Sequence, residues 1–293
     1  MVAAPTHSVP APQVYLCQVD DATSCGACCG LYNVVDNGRR ALEELLTERT
    51  ARFCQVPREI EPLDRFARWS AGRAGTPPLA RFHHCPFLGL IGEARGRVGC
   101  LLHPLAAGNG GVDLRGLSHY GSFTCRTYFC PASRKLEERY QRILKAVLGH
   151  WYAYGLIVTE TKLVRLLLGA VEARLAAALP PEAELTAGAR AALAQLLGLK
   201  IDWPFRSGRD RQEARIHYLF NDGAHGRPDF VSALTIHQDD APYSALFREL
   251  VSTFGSADQE RAARRQLAAA IDRAAAALRQ PQADHQRRTD AAN

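Results

Sequence analysis

The sequence predicts a mainly α-helical protein in which an irregular region rich in cysteine and glycine packs on a helical domain. Two observations carry this prediction. All nine cysteines fall between Cys17 and Cys130, and none of the 163 residues that follow is a cysteine. From Ser133 onward, apolar residues recur with the 3.6-residue period of amphipathic helices. The chain therefore changes character close to Pro131.

Changes of composition divide the chain into four segments. Residues 1–13 are predicted to be a flexible tail, 14–131 the cysteine-rich region, 132–280 the helical domain and 281–293 a disordered polar tail. Glycines and prolines are frequent between Arg81 and Pro131, so loops and short hairpins are expected there and a regular helix is not. Earlier in this region we predict a strand over Val14–Val19, a helix carrying Leu42–Phe53 and a second helix over Glu61–Trp69 that ends at Gly75.

The helical domain is expected to contain a series of amphipathic helices. Its clearest apolar face runs from Leu136 to Trp151. The other predicted helices are one opened by Thr159 or Thr161 that stops before Pro180, one over Thr186–Leu197 with Gly198 as its stop, Arg209–Phe220, Tyr243–Phe254, and a last helix that Ser256 starts with Gln259 in a capping box.

Composition excludes several classes of protein. With 293 residues and 47% apolar side chains, the chain can bury a core without help from disulfides, and an odd number of cysteines cannot all pair. No secretory signal and no sufficiently long uncharged apolar stretch is found in the sequence. We therefore predict a cytoplasmic, reducing location without membrane insertion, where clustered cysteines indicate metal or redox chemistry.

The net charge of +6 does not predict a nucleic-acid partner. Arginine outnumbers lysine by 32 to 4, but the basic residues are spread along the chain without a basic stripe interleaved with aromatics. This bias is typical of GC-rich bacterial coding sequences.

The first cysteine group has the spacing of a metal-binding knuckle. In Cys25-Gly-Ala-Cys28, two intervening residues allow both sulfurs to reach one metal, although zinc, iron–sulfur and redox sites share this spacing. The adjacent Cys29 is different, because neighbouring side chains diverge. Two neighbouring metals or a multinuclear cluster would use both Cys28 and Cys29; alternatively, one of them is a buried structural thiol.

The remaining cysteines occur in a second set. It consists of Cys85-Pro86-Phe87-Leu88, Cys100 between Gly99 and Leu101, and Cys125-Arg-Thr-Tyr-Phe-Cys130-Pro131. A proline directly after a cysteine is typical of ferredoxin cluster loops. Six or seven thiols exceed the four ligands of one tetrahedral zinc, which favours two sites or a cluster.

As a combination, these motifs resemble the YkgJ-like cysteine-cluster family, also described as a zinc- or iron-chelating domain. That family has a C-x2-C-x2-C-C pattern, a C-P-F-L box, a further cysteine and a C-R-x-(Y/F)-P motif, and the resemblance covers roughly residues 24–131. This chain departs from the pattern at Ala22, His103 and Cys130, and it has about twenty extra residues between Cys100 and Cys125.

The resemblance implies six metal-site residues, to which we add Cys130 because of its spacing. These residues are Cys25, Cys28, Cys29, Cys85, Cys100, Cys125 and Cys130. Cys130, Cys17 or a histidine could replace the ligand missing at Ala22. Cys17 and Cys54 stand alone and are interpreted as small buried apolar residues. The reserve ligands are His83, His84, His103 and His119.

Three functions are compatible with this pattern. The first is a cysteine-cluster protein that binds an iron–sulfur cluster or Zn²⁺. The second is an iron–sulfur-dependent redox enzyme or protein-modifying transferase, since flagellin lysine methylases look as if they share a related cysteine cluster. The third is a metal-stabilised scaffold for a protein partner. The sequence shows no dinucleotide fingerprint, P-loop, nucleophile elbow or H-E-x-x-H motif, so it assigns no catalytic residue.

Overall fold

The protein is mainly α-helical, as the sequence predicts. The structure, a computed structural model, describes residues 14–80, 82–206, 219–221, 224–226 and 241–290. The predicted flexible tail 1–13 lies outside the described residues, as does 209–218, most of one predicted helix. Leu219 and Phe220, the last two residues of that prediction, belong to a strand instead.

Two helices of fifteen residues form the first part of the cysteine-rich region. Helix α1 spans Arg39–Phe53 and buries the predicted stripe of Leu42, Leu45, Leu46 and Phe53. Helix α2 spans Ile60–Ala74 and buries Leu63 and Phe66 against α1, where the Phe53 and Phe66 rings meet edge to face with centroids 5.2 Å apart. Gly75 ends α2 with a positive φ of 73°, which confirms the predicted stop.

The glycine-rich part of this region forms a hairpin and one short helix. Strands β1 (Leu88–Ile91) and β2 (Arg97–Cys100) pair antiparallel, with Leu88 opposite Cys100. Helix α3 (Gly121–Thr127) is a difference from the prediction, because a regular helix was not expected there. The predicted strand Val14–Val19 is also absent from the described residues, since only an isolated bridge between Gln18 and Ser24 forms.

The C-terminal half consists mainly of helices. Their bounds are α4 (Ala132–Lys135), α5 (Glu138–Val147), α6 (Trp151–Val158), α7 (Thr161–Leu175), α8 (Ala187–Asp202), α9 (Ala241–Glu249) and α10 (Ala257–Asp290), and strands β3 (Leu219–Asn221) and β4 (Ala224–Gly226) form a short antiparallel hairpin. The backbone of β3 passes beside the turn Ala27–Cys29.

Capping explains two of these helix starts. The Thr186 hydroxyl accepts a hydrogen bond from the Ala189 N–H, and the Ser256 hydroxyl accepts one from the Gln259 N–H. The Gln259 side chain then accepts from the Gly255 N–H, one residue before the expected capping-box partner.

Four boundaries differ from the predictions. Helix α9 ends at Glu249 and not at Phe254. The apolar face from Leu136 to Trp151 is carried by two helices, because the helical hydrogen bonding stops at Leu148. Helix α8 continues past Gly198 to Asp202. Helix α10 continues to Asp290, through ten of the residues for which a disordered tail is predicted.

The buried side chains of the described residues form two cores that meet at α6. The helical core contains the apolar faces of α5, α7, α8 and α10 together with Val14 and Leu16. The cysteine-region core contains those of α1, α2 and the β1–β2 hairpin. Helix α6 contributes to both, with Tyr154 and Ile157 in the helical core and Trp151 in the other. Among the described helices, none is long and apolar enough to cross a membrane.

Candidate metal centre

The first cysteines are brought together by a tight turn. The Cys25 N–H donates to the Cys17 carbonyl oxygen over 2.9 Å, and a 3-10 turn over Ala27–Cys29 follows directly. Gly30 ends this turn with φ at 75°, and a Cβ at this position would collide with the carbonyl group of His83. Glycine therefore allows the first cysteine segment to lie directly against the segment that leads into Cys85.

Four thiols form what we call the first group: Cys17, Cys25, Cys28 and Cys130. The Cys28 and Cys130 side chains are hydrogen-bonded to each other. The ionisation of Cys25 responds to the charges of Cys17 and Cys130, so these thiols are electrostatic neighbours. Residues more than one hundred positions apart in the sequence thus contribute to one group.

The other four neighbouring thiols form the second group: Cys29, Cys85, Cys100 and Cys125. The Cys85 N–H donates to the Cys29 carbonyl oxygen over 2.8 Å, and strand pairing places Cys100 opposite Leu88, next to the Cys85 loop. Cys125 lies on α3, and its sulfur is 3.1 Å from the Ser118 hydroxyl. The ionisation of Cys29 responds to the charges of Cys85, Cys100 and Cys125 and, least of the four, to that of Cys17 in the first group.

Backbone amides point at several of these sulfurs. The Ala27 N–H donates to Cys25, the Phe87 N–H donates to Cys85, and the Leu102 and His103 N–H groups donate to Cys100. At each of the three cysteines, one donating N–H belongs to the residue two positions later in the sequence, as in the knuckles that hold metal thiolates. Such N–H donors stabilise a charged sulfur and tune a bound metal.

Burial keeps most of these thiols protonated in the absence of metal. It is the largest cause that raises the pKa of Cys17 to about 11, of Cys85 to about 12 and of Cys100 to about 11. Burial also raises the pKa of Cys25 and Cys29 well above the usual range, while for Cys28 the hydrogen bond with Cys130 comes first. Binding of a metal would therefore release protons.

The two groups have different surroundings. Tyrosine side chains face the first group: the Tyr15 hydroxyl donates to Cys17, and the charge of Cys28 helps to raise the pKa of Tyr128 after the larger effect of burial. Guanidinium groups face the second group. Arg115 lowers the pKa of Cys100 and Arg49 lowers the pKa of Cys85, although in both thiols the opposite effect of burial is larger. The second group is thus the more electropositive of the two.

Arg49 is the unusual member of this shell. Its side chain is 0% exposed, and Nη2 donates to the Ser70 carbonyl oxygen and to Nε2 of His84. Its Nε and Nη1 atoms find no hydrogen-bond partner among the described residues. Burial lowers the pKa of Arg49 to about 10, and the neighbouring Cys85 counteracts this effect. A buried cation of this kind requires a negative partner.

The candidate histidine ligands are engaged elsewhere to different degrees. Nδ1 of His84 is 2.7 Å from the Gly30 carbonyl oxygen and its Nε2 accepts from Arg49, so both ring nitrogens are used. Nδ1 of His103 accepts from the Leu105 N–H. His83 and His119 stack with ring centroids 3.8 Å apart, and Nε2 of His83 is buried without a partner among the described residues.

The donor types fit a soft metal, whereas the atomic positions do not form a finished site. Among the described residues, no three or more His, Cys, Asp or Glu side chains are arranged so that they could hold a metal ion as they stand. The donor chemistry fits: thiols are neighbours, N–H groups are directed at sulfur, and the buried guanidinium of Arg49 makes no ion pair with a carboxylate of the described residues. These are the surroundings that a negatively charged metal–thiolate group requires.

The seven predicted site residues fall into both groups. Cys25, Cys28 and Cys130 lie in the first, and Cys29, Cys85, Cys100 and Cys125 lie in the second. No disulfide joins any of the nine cysteines, all of which are described. The interpretation of Cys54 as a buried residue is wrong, because its side chain is exposed at the end of α1.

Sequence reasoning missed Arg49 and left Cys17 open between two interpretations. Cys17 was named as a possible replacement ligand and also interpreted as a small apolar residue, and the bridge between Gln18 and Ser24 folds it back beside Cys25. Arg49 carried a signal that could have been used, since it lies seven positions after Leu42 on the buried face of α1.

Comparison of the chain with family models, with curated proteins and with solved structures finds no match. The resemblance to the YkgJ-like family therefore rests on the cysteine motifs alone.

Proposed function

We propose that this protein binds a metal through its clustered cysteines, either as Zn²⁺ or as an iron–sulfur cluster. The observation that supports the proposal is the approach of eight of the nine cysteines to one another from separate chain segments. A core of this size does not need eight neighbouring thiols for packing, and in the absence of disulfides their shared property is soft-metal ligation. We extend the proposal to kinship with the YkgJ-like family and to a reducing, cytoplasmic location.

Arg49 supports the same proposal independently. Four thiolates around one zinc, or around a four-iron cluster, carry net negative charge, and this charge would lie beside the buried guanidinium. The sulfurs would have to move together on binding, because they are not arranged as a ligand set in the structure. When bound, the metal would supply cross-linking of the chain and, if it is an iron–sulfur cluster, one-electron chemistry.

Anaerobic purification tests this function. We expect the protein to carry metal by elemental analysis; visible absorbance with iron and sulfide identifies a cluster, and colourless protein with zinc identifies a zinc site. The Cys28→Ser variant and the Cys85→Ser variant should each contain less metal than the wild type.

Cys54→Ser is the matched control, because Cys54 is exposed and belongs to neither group. It should retain the full metal content of the wild type. Wild-type protein that contains no metal and takes up neither zinc nor iron with sulfide during anaerobic reconstitution would refute the proposal.

A further inference from the structure

We propose that the first group and the second group are two separate four-thiolate metal sites, with Cys17 as the fourth ligand of the first site. This inference rests on the proposed function and adds to it the number of sites and their ligands. Cys17, Cys25, Cys28 and Cys130 would hold one metal centre. Cys29, Cys85, Cys100 and Cys125 would hold the other.

Backbone hydrogen bonds support this division. Within the first group, the Cys25 N–H bonds to the Cys17 carbonyl, and the C-x2-C turn carries Cys28 next to Cys25. Within the second group, the Cys85 N–H bonds to the Cys29 carbonyl, and the β1–β2 hairpin places Cys100 beside the Cys85 loop. Three members of each group are therefore held together by local main-chain structure that does not depend on metal, and the fourth member of the first group, Cys130, joins through its side-chain hydrogen bond with Cys28.

The two hydrophobic cores divide five of the eight thiols in the same way. Cys130 is part of the helical core, and Cys28 packs against that core. Cys85 is part of the cysteine-region core, and Cys29 and Cys100 pack against it. Cys25 touches both cores, which places it where they meet. The adjacent residues Cys28 and Cys29 thus direct their side chains into different cores, as the divergence of neighbouring side chains requires.

The number of grouped thiols also agrees with two sites. Four sulfurs complete a tetrahedral zinc site and also complete the ligation of a four-iron cluster, so eight thiols provide two full sets. In this arrangement no histidine is needed to replace the ligand missing at Ala22, since Cys17 and Cys130 complete the first group. Each cysteine would bind as a thiolate, forming a metal–sulfur bond and releasing its proton to solvent.

Metal titration of anaerobic apoprotein tests the two-site arrangement. Co²⁺ is added while the thiolate-to-cobalt absorption is recorded, and a second arm uses ferrous iron with sulfide, followed by iron analysis. In the arm in which the wild type binds metal, the wild type and Cys54→Ser should bind twice as much metal as Cys17→Ser, Cys130→Ser or Cys100→Ser. The double variant Cys17→Ser/Cys100→Ser should bind none.

The outcomes separate this inference from the proposed function. Metal binding that Cys17→Ser leaves unchanged would overturn the inference and leave the function standing. Complete loss of metal in Cys17→Ser and in Cys100→Ser, with far-ultraviolet circular dichroism like that of the wild type, would indicate one shared cluster and would also overturn it. Failure of the wild type to bind in either arm would remove both.

Discussion

Arg49 shows how much one buried charge can indicate about a site. Two opposite unit charges about 5 Å apart interact by roughly 3 kcal/mol at an effective dielectric constant near 20, so a fully buried guanidinium gains considerably from a negative neighbour. Arg49 makes no ion pair with a carboxylate of the described residues, and Glu48, its nearest acidic neighbour in sequence, pairs with Arg73 at 3.0 Å. Two neighbours raise the pKa of Arg49, Cys85 of the second group first and Glu48 after it.

We expect Arg49→Met to weaken metal binding at the second group. Removal of the guanidinium takes away the positive charge beside Cys85, so a chelator should extract metal from this group about tenfold faster, equivalent to about 1.4 kcal/mol. Release from the first group should not change. The measurement is the rate of metal transfer to a chromogenic chelator.

Arg52→Met is the control, since Arg52 lies on the same helix but is exposed over the Trp69 ring. Equal release rates for Arg49→Met and the wild type would mean that the buried guanidinium does not act on the metal.

At the scale of single residues, sequence reasoning identified the thiols better than it identified their neighbours. Spacing and motif selected seven of the eight grouped cysteines. Cys17 could be named only as one of several replacement ligands, because it lies beside Cys25 through a local bend that no motif encodes. Arg49 was overlooked because only the apolar residues of the α1 stripe were considered, although Arg49 lies on the same buried face.

At the scale of elements, the existence of helices was predictable and their ends were less so. Apolar periodicity located α1, α2, α7, α8 and the start of α10. The break after Val147 was not visible, because Leu148 and Trp151 continue the same apolar face across it. Gly198 did not stop α8, because the neighbouring Leu196 and Leu197 are buried in the helical core and the helix continues to bury Lys200.

The buried ion pair between α8 and the start of α7 depends on a contact that no helical pattern predicts. Nζ of Lys200 lies 2.6 Å from Oε1 of Glu160, and the two side chains are 0% and 1% exposed. A second pair lies close by, with Lys162 at 3.0 Å from Glu249. Breaking a buried pair leaves an uncompensated charge, whereas replacing both partners does not.

We expect Glu160→Gln to lower the free energy of unfolding by about 3–5 kcal/mol, because it leaves the buried Lys200 without its carboxylate. Lys200→Met combined with Glu160→Gln should recover most of this loss. Urea unfolding at pH 7 measures both effects. Glu44→Gln is the control, since its pair with Arg40 is exposed and should contribute little to stability. Losses that simply add in the double variant would contradict a direct interaction.

The same pair predicts a dependence of stability on pH. Burial lowers the pKa of Lys200 to about 8 from the 10.5 of an unperturbed lysine. Between these two values the unfolded chain binds the proton more tightly than the folded chain does, so the contribution of Lys200 to stability should rise with pH. The difference in unfolding free energy between the wild type and Lys200→Met should therefore shift in favour of the wild type from pH 8 to pH 10. A difference that is constant over this range would contradict the lowered pKa.

At the scale of the whole molecule, α6 connects the cysteine-rich region to the helical domain. The Tyr32 hydroxyl donates to the Tyr152 carbonyl over 3.0 Å, and the Tyr154 hydroxyl donates to the Leu16 carbonyl over 3.0 Å. A Cβ at Gly155 would collide with the Tyr32 hydroxyl, so the helix and this ring are in close contact. The two regions are therefore joined through buried contacts and not only through the connecting chain.

We expect loss of metal to loosen the cysteine-rich region more than the helical domain. In the Cys28→Ser/Cys85→Ser variant, proteolysis should cut within residues 20–130 and leave a resistant fragment from about Ser133 onward, because the helical core buries its own apolar faces. Exposure of Trp151 should shift the tryptophan fluorescence to longer wavelength in this fragment. The control is Cys54→Ser, which should keep the digestion pattern of the wild type. Uniform digestion of the double variant would argue against this division.

The order of the thiols along the chain determines how the two ligand sets could be moved into another protein. The second group, from Cys29 to Cys125, lies entirely between Cys28 and Cys130, two members of the first. Zinc-finger modules can be cut out as short contiguous peptides and joined in new orders, whereas nested ligand sets cannot be separated in this way. A graft into another host would have to carry residues 17–130 as one piece, together with a surface that substitutes for α6.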